Sequence, residues 1–284
     1  MYNVIRMKEI AKELNNLTYT DYFYRLMLLA RGVFEWKNLP NGMDEKWIEN
    51  FLFHEGKCVF FKDKDYGFMV AKCTDSNILN AYDEPIAINP YATNYRGRTL
   101  RNYDECVLIR NNDEMVPTSP TIQLYALRLA EISRTIDINI HAQKTPVIIL
   151  CNEKQKTTMK QVYNQWNGFE PIIFGDKNLD IDGVKVLKTD APIVFDKLQI
   201  QKHAIWNECM TYLGINNANM DKRERLVDDE VQANNEQIEQ SANTMLKARK
   251  IACERINELF DLNIEVSIRK PEKGQNSKPE EVPE

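Results

Sequence analysis

Few side chains in this 284-residue sequence combine the type and spacing that chemistry requires. Asp180, Asp182 and Lys185 in "LDIDGVK" resemble the acidic–acidic–lysine grouping of a metal-dependent nuclease. The same Asp-x-Asp-Gly run is also ordinary turn chemistry, because Asp bonds its own backbone and Gly accepts the bend. His141 precedes Cys151 in a way that a thiol–imidazole pair could use, yet a helix end and a strand hold such residues for packing. His54 and His203 have no partner at metal-ligand spacing. The sequence contains no Walker loop, no nucleotide GxGxxG, no GxSxG elbow and no HExxH. The expectation is a chain that is not an enzyme and needs no cofactor and no metal.

One basic cluster stands out. "GINNANMDKRERLVDDEV" (214–231) places Lys222, Arg223 and Arg225 in an Asn-rich loop, with Lys202 upstream, although the whole chain carries a formal net charge of −5. By itself such a loop is a solvated segment of mixed charge. Lys185, Lys188, Lys197 and Lys202 read in the same way, as exposed positions of a strand and a long helix. An acidic chain has no broad basic face for coating nucleic acid, so any such contact must be local. The aromatic group "YTDYFYR" has the density of a base-stacking platform without the basic interleaving, and reads as packing. "DDE" (228–230) stands before a helix, where acidic groups suit the dipole. The six cysteines, Cys58, Cys73, Cys106, Cys151, Cys209 and Cys253, are scattered through apolar runs and read as buried hydrophobes.

The elements that must position these residues can be read from periodicity. Residues 1–37 predict two helices, and "YTDYFYRLMLLARGVFEW" is apolar nearly all round, which predicts burial. A short amphipathic helix follows over 43–54 with Trp47, Ile48, Phe51 and Leu52. Between 57 and 116 the period shortens. "CVFF" and "FMVAKC" flank the turn "KDKDYG" as a hairpin, and "PIAINP" and "CVLIRNND" are further strands. A long helix starts at Thr118 or Ser119, with Pro120 in its first turn and an apolar stripe of Ile122, Tyr125, Leu129, Ile132, Ile136 and Ile140. Residues 146–188 alternate strand, helix, strand, strand, with "TPVIIL", "TTMKQVYNQW", "PIIF" and "GVKVLK". A second long helix has Asp190 as its cap, Pro192 in its first turn and Gly214 as its stop. A third begins near "NNEQIEQ" and carries Ile238, Met245, Ala252, Ile256 and Leu259 on one side. "NIEVSIR" is a last strand, and the polar, Pro-rich end predicts a disordered tail. No apolar run approaches the roughly 18 residues of a membrane helix. The N-terminus lacks a signal core, which predicts a protein made and kept in the cytoplasm with no membrane partner.

Several stretches of this outline are specific enough for recognition. "FEWKNLP", "AQKTPV", "MKQVYNQW", "KTDAP", "DKLQIQKHAIWNE", "LGINNANMDKRERLVDDEV", "NNEQIEQS" and "CERINEL" occur in the order they hold in portal proteins. The chain resembles the portal protein (upper collar, or head–tail connector) of small short-tailed double-stranded DNA phages that prime replication with a terminal protein.

The resemblance implies an α+β, long-helix portal fold in which twelve subunits form a ring around a channel at one capsid vertex. It implies an N-terminal wing over 1–117 and stem helices over 118–145 and 190–214. It also implies a clip over 146–189, a channel loop over 215–235, a wing helix and strand over 236–269, and a disordered tail over 270–284. Lys188, Lys197, Lys222 and Arg223 would face double-stranded DNA, with Asn217, Asn219, Arg225 and Asn234 in the channel loop. The implied partners are further copies of the chain, the major capsid and scaffolding proteins, a packaging ATPase and a lower collar or tail protein. The N-terminus carries only Arg6, Lys8 and Lys12 where the family has a longer basic arm, which argues against a packaging RNA as a partner. Another collar or tail component would share the ring without binding the ATPase.

Overall fold

A computed structural model of the chain describes residues 2–76, 78–142, 147–149, 184–186, 192–216 and 228–270. It forms two compact units, Met1–Ala130 with His203–Glu284, and Glu131–Lys202.

The first unit opens with helix α1 (Tyr2–Arg31), whose end is set by Gly32. The next residues differ from expectation. "FEWK" is strand β1 (Phe34–Lys37), with Phe34 and Trp36 buried and Lys37 exposed, a period of two instead of 3.6. It pairs antiparallel with the last strand, β10 (Glu265–Ile268), in the register Phe34↔Ile268 and Trp36↔Val266. Helix α2 (Glu45–Glu55) follows, capped by Asp44, whose carboxylate accepts from the Lys46 amide. Gly56 ends α2 at φ 75°, and a Cβ there would stand 1.9 Å from the Met115 carbonyl oxygen. Only glycine satisfies both demands.

The predicted hairpin forms as β2 (Lys57–Asp63) and β3 (Gly67–Asp75), and Asp63 accepts from the amides of Asp65 and Tyr66 inside the turn. β4 (Ala87–Ala92), β5 (Tyr95–Arg96), β6 (Leu100–Arg101) and β7 (Cys106–Arg110) complete an antiparallel sheet of order β5–β4–β3–β2–β7, with β6 also on β4. Its core packs Val59, Phe61, Ala71, Ile88 and Leu108. Helix α3 (Ser119–Ala142) begins where predicted and buries Ile122, Tyr125 and Leu129.

In the second unit, β8 (Val147–Ile149) pairs antiparallel with β9 (Val184–Val186), which places two of the predicted strands side by side. The predicted helix in "TTMKQVYNQW" and the strand "PIIF" lie outside the described residues. Helix α4 (Phe195–Leu213) starts later than expected, so Pro192 precedes it. Its entry is held by Asn139 of α3, which accepts from the Val194 amide and donates to the Pro192 carbonyl at 3.0 Å. Helix α5 (Asp228–Phe260) starts earlier than expected. Asp228, Asp229 and Glu230 therefore fall in its first turn, a sequence position that suits acidic residues. Asn234 lies inside this helix and not in a loop.

Burial of α1 corrects a second expectation. Tyr22, Leu26 and Ala30 are in the core, while Leu17, Tyr24 and Leu28 face out. The helix is apolar on two opposite faces, and the fold of one chain covers one of them.

A buried ion pair joins these elements. Arg249 of α5 gives Glu49 of α2 a two-pronged contact, Nε to Oε1 at 2.9 Å and Nη2 to Oε2 at 2.7 Å. Its remaining donors reach the Asn111 and Met245 carbonyls and Asn111 Oδ1, each at 3.0 Å. Trp36 Nε1 donates to Glu49 Oε1 at 2.9 Å, and the guanidinium carbon lies 4.1 Å from the centre of the Phe34 ring. Removing one partner strands the other charge in the core. Glu49→Ala should therefore lower unfolding stability by about 3–5 kcal/mol, measured by urea titration. A loss within the roughly 0.5 kcal/mol of an ordinary surface substitution would show that the pair does not hold the unit together.

Candidate nucleic-acid interface

The expected interface is a set of basic residues spread over α4 and the segment between α4 and α5. Lys197 lies in the first turn of α4, is exposed, and has no ion-pair partner among the described residues. Gln201 and Ala204 continue the same exposed face. Lys188, Lys222, Arg223, Arg225, Asn217 and Asn219 lie outside the described residues, as do Asp180 and Asp182. Lys185 is placed on β9, opposite Ile148.

What the structure does fix is the pair of anchors from which the basic segment departs. Gly214 ends α4 at φ 72°, and the Ile215 amide bonds back to the Met210 carbonyl at 2.9 Å. A Cβ on Gly214 would stand 2.4 Å from the Ala242 Cβ and 2.8 Å from its Cα, so α4 ends in direct contact with α5. Tyr125 reinforces the same region by donating to Glu208 at 3.1 Å and packing against Tyr212 at 6.3 Å. The far anchor is α5, held through Arg249. Residues 217–227 connect α4 to α5 in the chain.

Sequence reading missed Arg249. The available signal was an arginine on the apolar side of α5, between Met245 and Ala252, where a lone charge demands a buried partner.

The described residues offer little for covalent chemistry. Cys58, Cys73, Cys106, Cys209 and Cys253 are free and buried, as expected, and Cys151 lies outside the described residues. Burial pushes Cys73, Cys106, Cys209 and Cys253 up to about 12 and also raises Cys58 well above the ordinary thiol range, so these thiols stay protonated at neutral pH. His54 is exposed beside Phe53, with its pKa lowered first by partial burial and then by Arg31. No helix among the described residues is long and apolar enough to cross a membrane.

A family profile described as Phage Connector (GP10) matches residues 2–272. The chain belongs to the phage connector family. It is thus a portal, or head–tail connector, protein, a structural part of a phage particle. Its fold agrees: the portal in "Portal and tail of native bacteriophage P68" matches with a TM-score of 0.51 at 18% identity, over 94% of this chain and 92% of that one. An HK97 family phage portal protein from Corynebacterium diphtheriae aligns at 9% identity over 91% of this chain and 94% of the other, with a TM-score of 0.46. The virion of a native gene transfer agent particle provides a third, at 11% identity and a TM-score of 0.45, covering 93% and 84%. The connector is therefore a mixed helix-and-sheet portal fold, and the β1–β10 pairing, the six-stranded sheet and the long helices are its framework.

Two outcomes follow from this geometry. Gly214→Ala should destabilise the connector subunit through about 1–2 kcal/mol of left-handed strain and about 1–3 kcal/mol of overpacking against Ala242. Chemical denaturation would read the sum, and an unchanged midpoint would mean that α4 does not end against α5. Second, folding holds the four cysteine protons to about 12, whereas an unfolded thiol releases its proton near 9.0. The unfolded state then binds fewer protons above pH 9, so this stability is complete below pH 9 and drains as pH climbs towards 12. The urea midpoint should be lower at pH 10.5 than at pH 8, and iodoacetamide should label the five thiols only after unfolding. Rapid labelling of any of these five in the native protein at pH 8, located by peptide mapping so that Cys151 is counted apart, would contradict their burial.

Proposed function

We propose that this connector subunit forms a closed ring of twelve at the portal vertex of the virion, enclosing a channel through which double-stranded DNA is packaged and later ejected. The observation that carries the reading is the family match over nearly the whole chain, residues 2–272. In this reading the subunit is not an enzyme. It docks an ATP-driven packaging motor supplied by another protein, then a lower collar or tail protein, and it contacts the capsid and scaffolding proteins. The order of the quoted stretches supports a phage of the kind with a terminal-protein-primed genome as the source of this connector.

Lys188, Lys197, Lys222 and Arg223 are the proposed DNA-facing residues, with Asn217, Asn219 and Arg225 beside them on the channel segment. Asn234 drops out, since it belongs to α5. The charge balance suits a conduit. Rotational repetition turns one lysine into a ring of positive charge, so few basic residues per chain suffice. Each neutralised phosphate releases counterions and tightens binding, and a uniformly basic bore would hold DNA fast. Phosphate contacts confined to narrow rings carry no sequence information and permit sliding. Twelve copies at −5 each leave the assembly at a formal −60, so a ring of basic residues in the bore would be a local positive feature of an acidic particle.

The native particle should weigh about 400 kDa, twelve times 33.2 kDa, as one discrete species in native mass spectrometry. A stable monomer or dimer across protein and salt concentrations would remove the channel. In particles, Lys222→Gln combined with Arg223→Gln should leave ring assembly intact and reduce the fraction of full-length genomes retained. Normal retention would end the proposed role of these two residues.

A further inference from the structure

The outward face of α1 is as regularly apolar as its inward face. Leu14, Leu17, Tyr24 and Leu28 lie at steps of three, seven and four along the helix, the spacing of a heptad seam, with Asp21 in the remaining seam position. All four are exposed in the single chain, Leu17 and Leu28 at 64% and Tyr24 at 54%. A strip of this length and spacing opposite the core is a helix-packing surface left without a helix.

A second such surface lies on α3 within the same unit. Leu124 and Leu127 are 49% and 57% exposed, three residues apart, on the side of the helix opposite the buried Ile122, Tyr125 and Leu129. Arg128 borders them, exposed and with no ion-pair partner among the described residues. The α1 seam has an acid at its centre, and the α3 patch has a base at its edge.

We infer that the α1 seam of one copy packs against the α3 patch of the next, with Asp21 set beside Arg128. Charge selects this pairing over self-association. Asp21 stands midway between Leu14 and Leu28, seven residues from each, so a fully overlapped two-fold contact of α1 with α1 would set carboxylate against carboxylate. Joining two different surfaces head to tail avoids that cost and repeats from copy to copy until the ring closes. Asp21 is bonded to Arg25 of its own helix at 2.7 Å, but both are largely exposed, and such a pair yields readily to a partly buried cross-subunit contact. The inference rests on the proposed ring and adds which surfaces join its neighbours.

The test is disulfide trapping in the full chain. Leu17→Cys with Leu124→Cys, oxidised after assembly, should give a ladder of covalent multimers on denaturing gels, whereas each single substitution should leave monomers. Covalent dimers from Leu17→Cys alone would overturn the inference in favour of α1 self-pairing. So would an absence of ladder from a double variant that still assembles. Charge reversal gives an independent reading. Asp21→Arg should cut the assembled fraction at least tenfold at low salt, and Asp21→Arg with Arg128→Asp should restore it. Because these positions are exposed, the melting temperature of the dissociated variant should match that of the wild-type subunit, which separates lost assembly from lost folding. A wild-type chain that never assembles would instead overturn the ring, and the inference with it.

Discussion

The first unit depends on a guanidinium taken out of water. Arg249 is surrounded by parts of the chain that are far apart in sequence: α2 through Glu49, β1 through Phe34 and Trp36, and the loop before α3 through Asn111. Desolvating both charges is costly, and an apolar cluster of the same volume would stabilise the unit equally well. What the ion pair adds is direction. Its planar donors accept one arrangement of a carboxylate and two carbonyls, so only one turn of α5 can sit over α2. Asn111 extends that order, since its own amide group donates to the Val116 carbonyl and the Thr118 hydroxyl at the start of α3.

Arg249 orients α5, and α4 ends on α5 at Gly214, where a Cβ would stand 2.4 Å from the Ala242 Cβ. In the proposed conduit, the parts that touch a moving polymer would bind it weakly, while the parts that hold them must not yield. The free energy that fixes α4 and α5 comes from the core, from buried thiols, aliphatic side chains and one ion pair.

Helix α1 shows the same principle in its apolar residues. Reading it as buried all round was correct about the composition and wrong about a single chain, in which only the face bearing Tyr22, Leu26 and Ala30 is covered. An apolar face need not be covered within one chain, and a subunit of a larger particle has neighbours that could cover it.

The sequence by itself determined the elements whose stability is local. The β2–β3 hairpin was legible because its Asp-rich turn and flanking apolar runs are contiguous. The start of α3 and the end of α4 were legible because caps and glycine stops act within one turn. The resemblance carried by short runs from "FEWKNLP" to "CERINEL" gave the family, although not the position of the channel residues. Tertiary structure decided what rests on distant partners. "FEWK" reads as the end of a helix until β10 pairs with it, and the position of Arg249 on the apolar side of α5 calls for a partner without naming Glu49, 200 residues away. α5 begins at Asp228, ahead of its Asn pair, because three acidic residues suit a helix start and the helix is anchored by packing further along. Caps and turns are settled by neighbours in the chain. Strand pairing and buried charge are settled by whichever residues the fold brings close, and no local pattern encodes which those are.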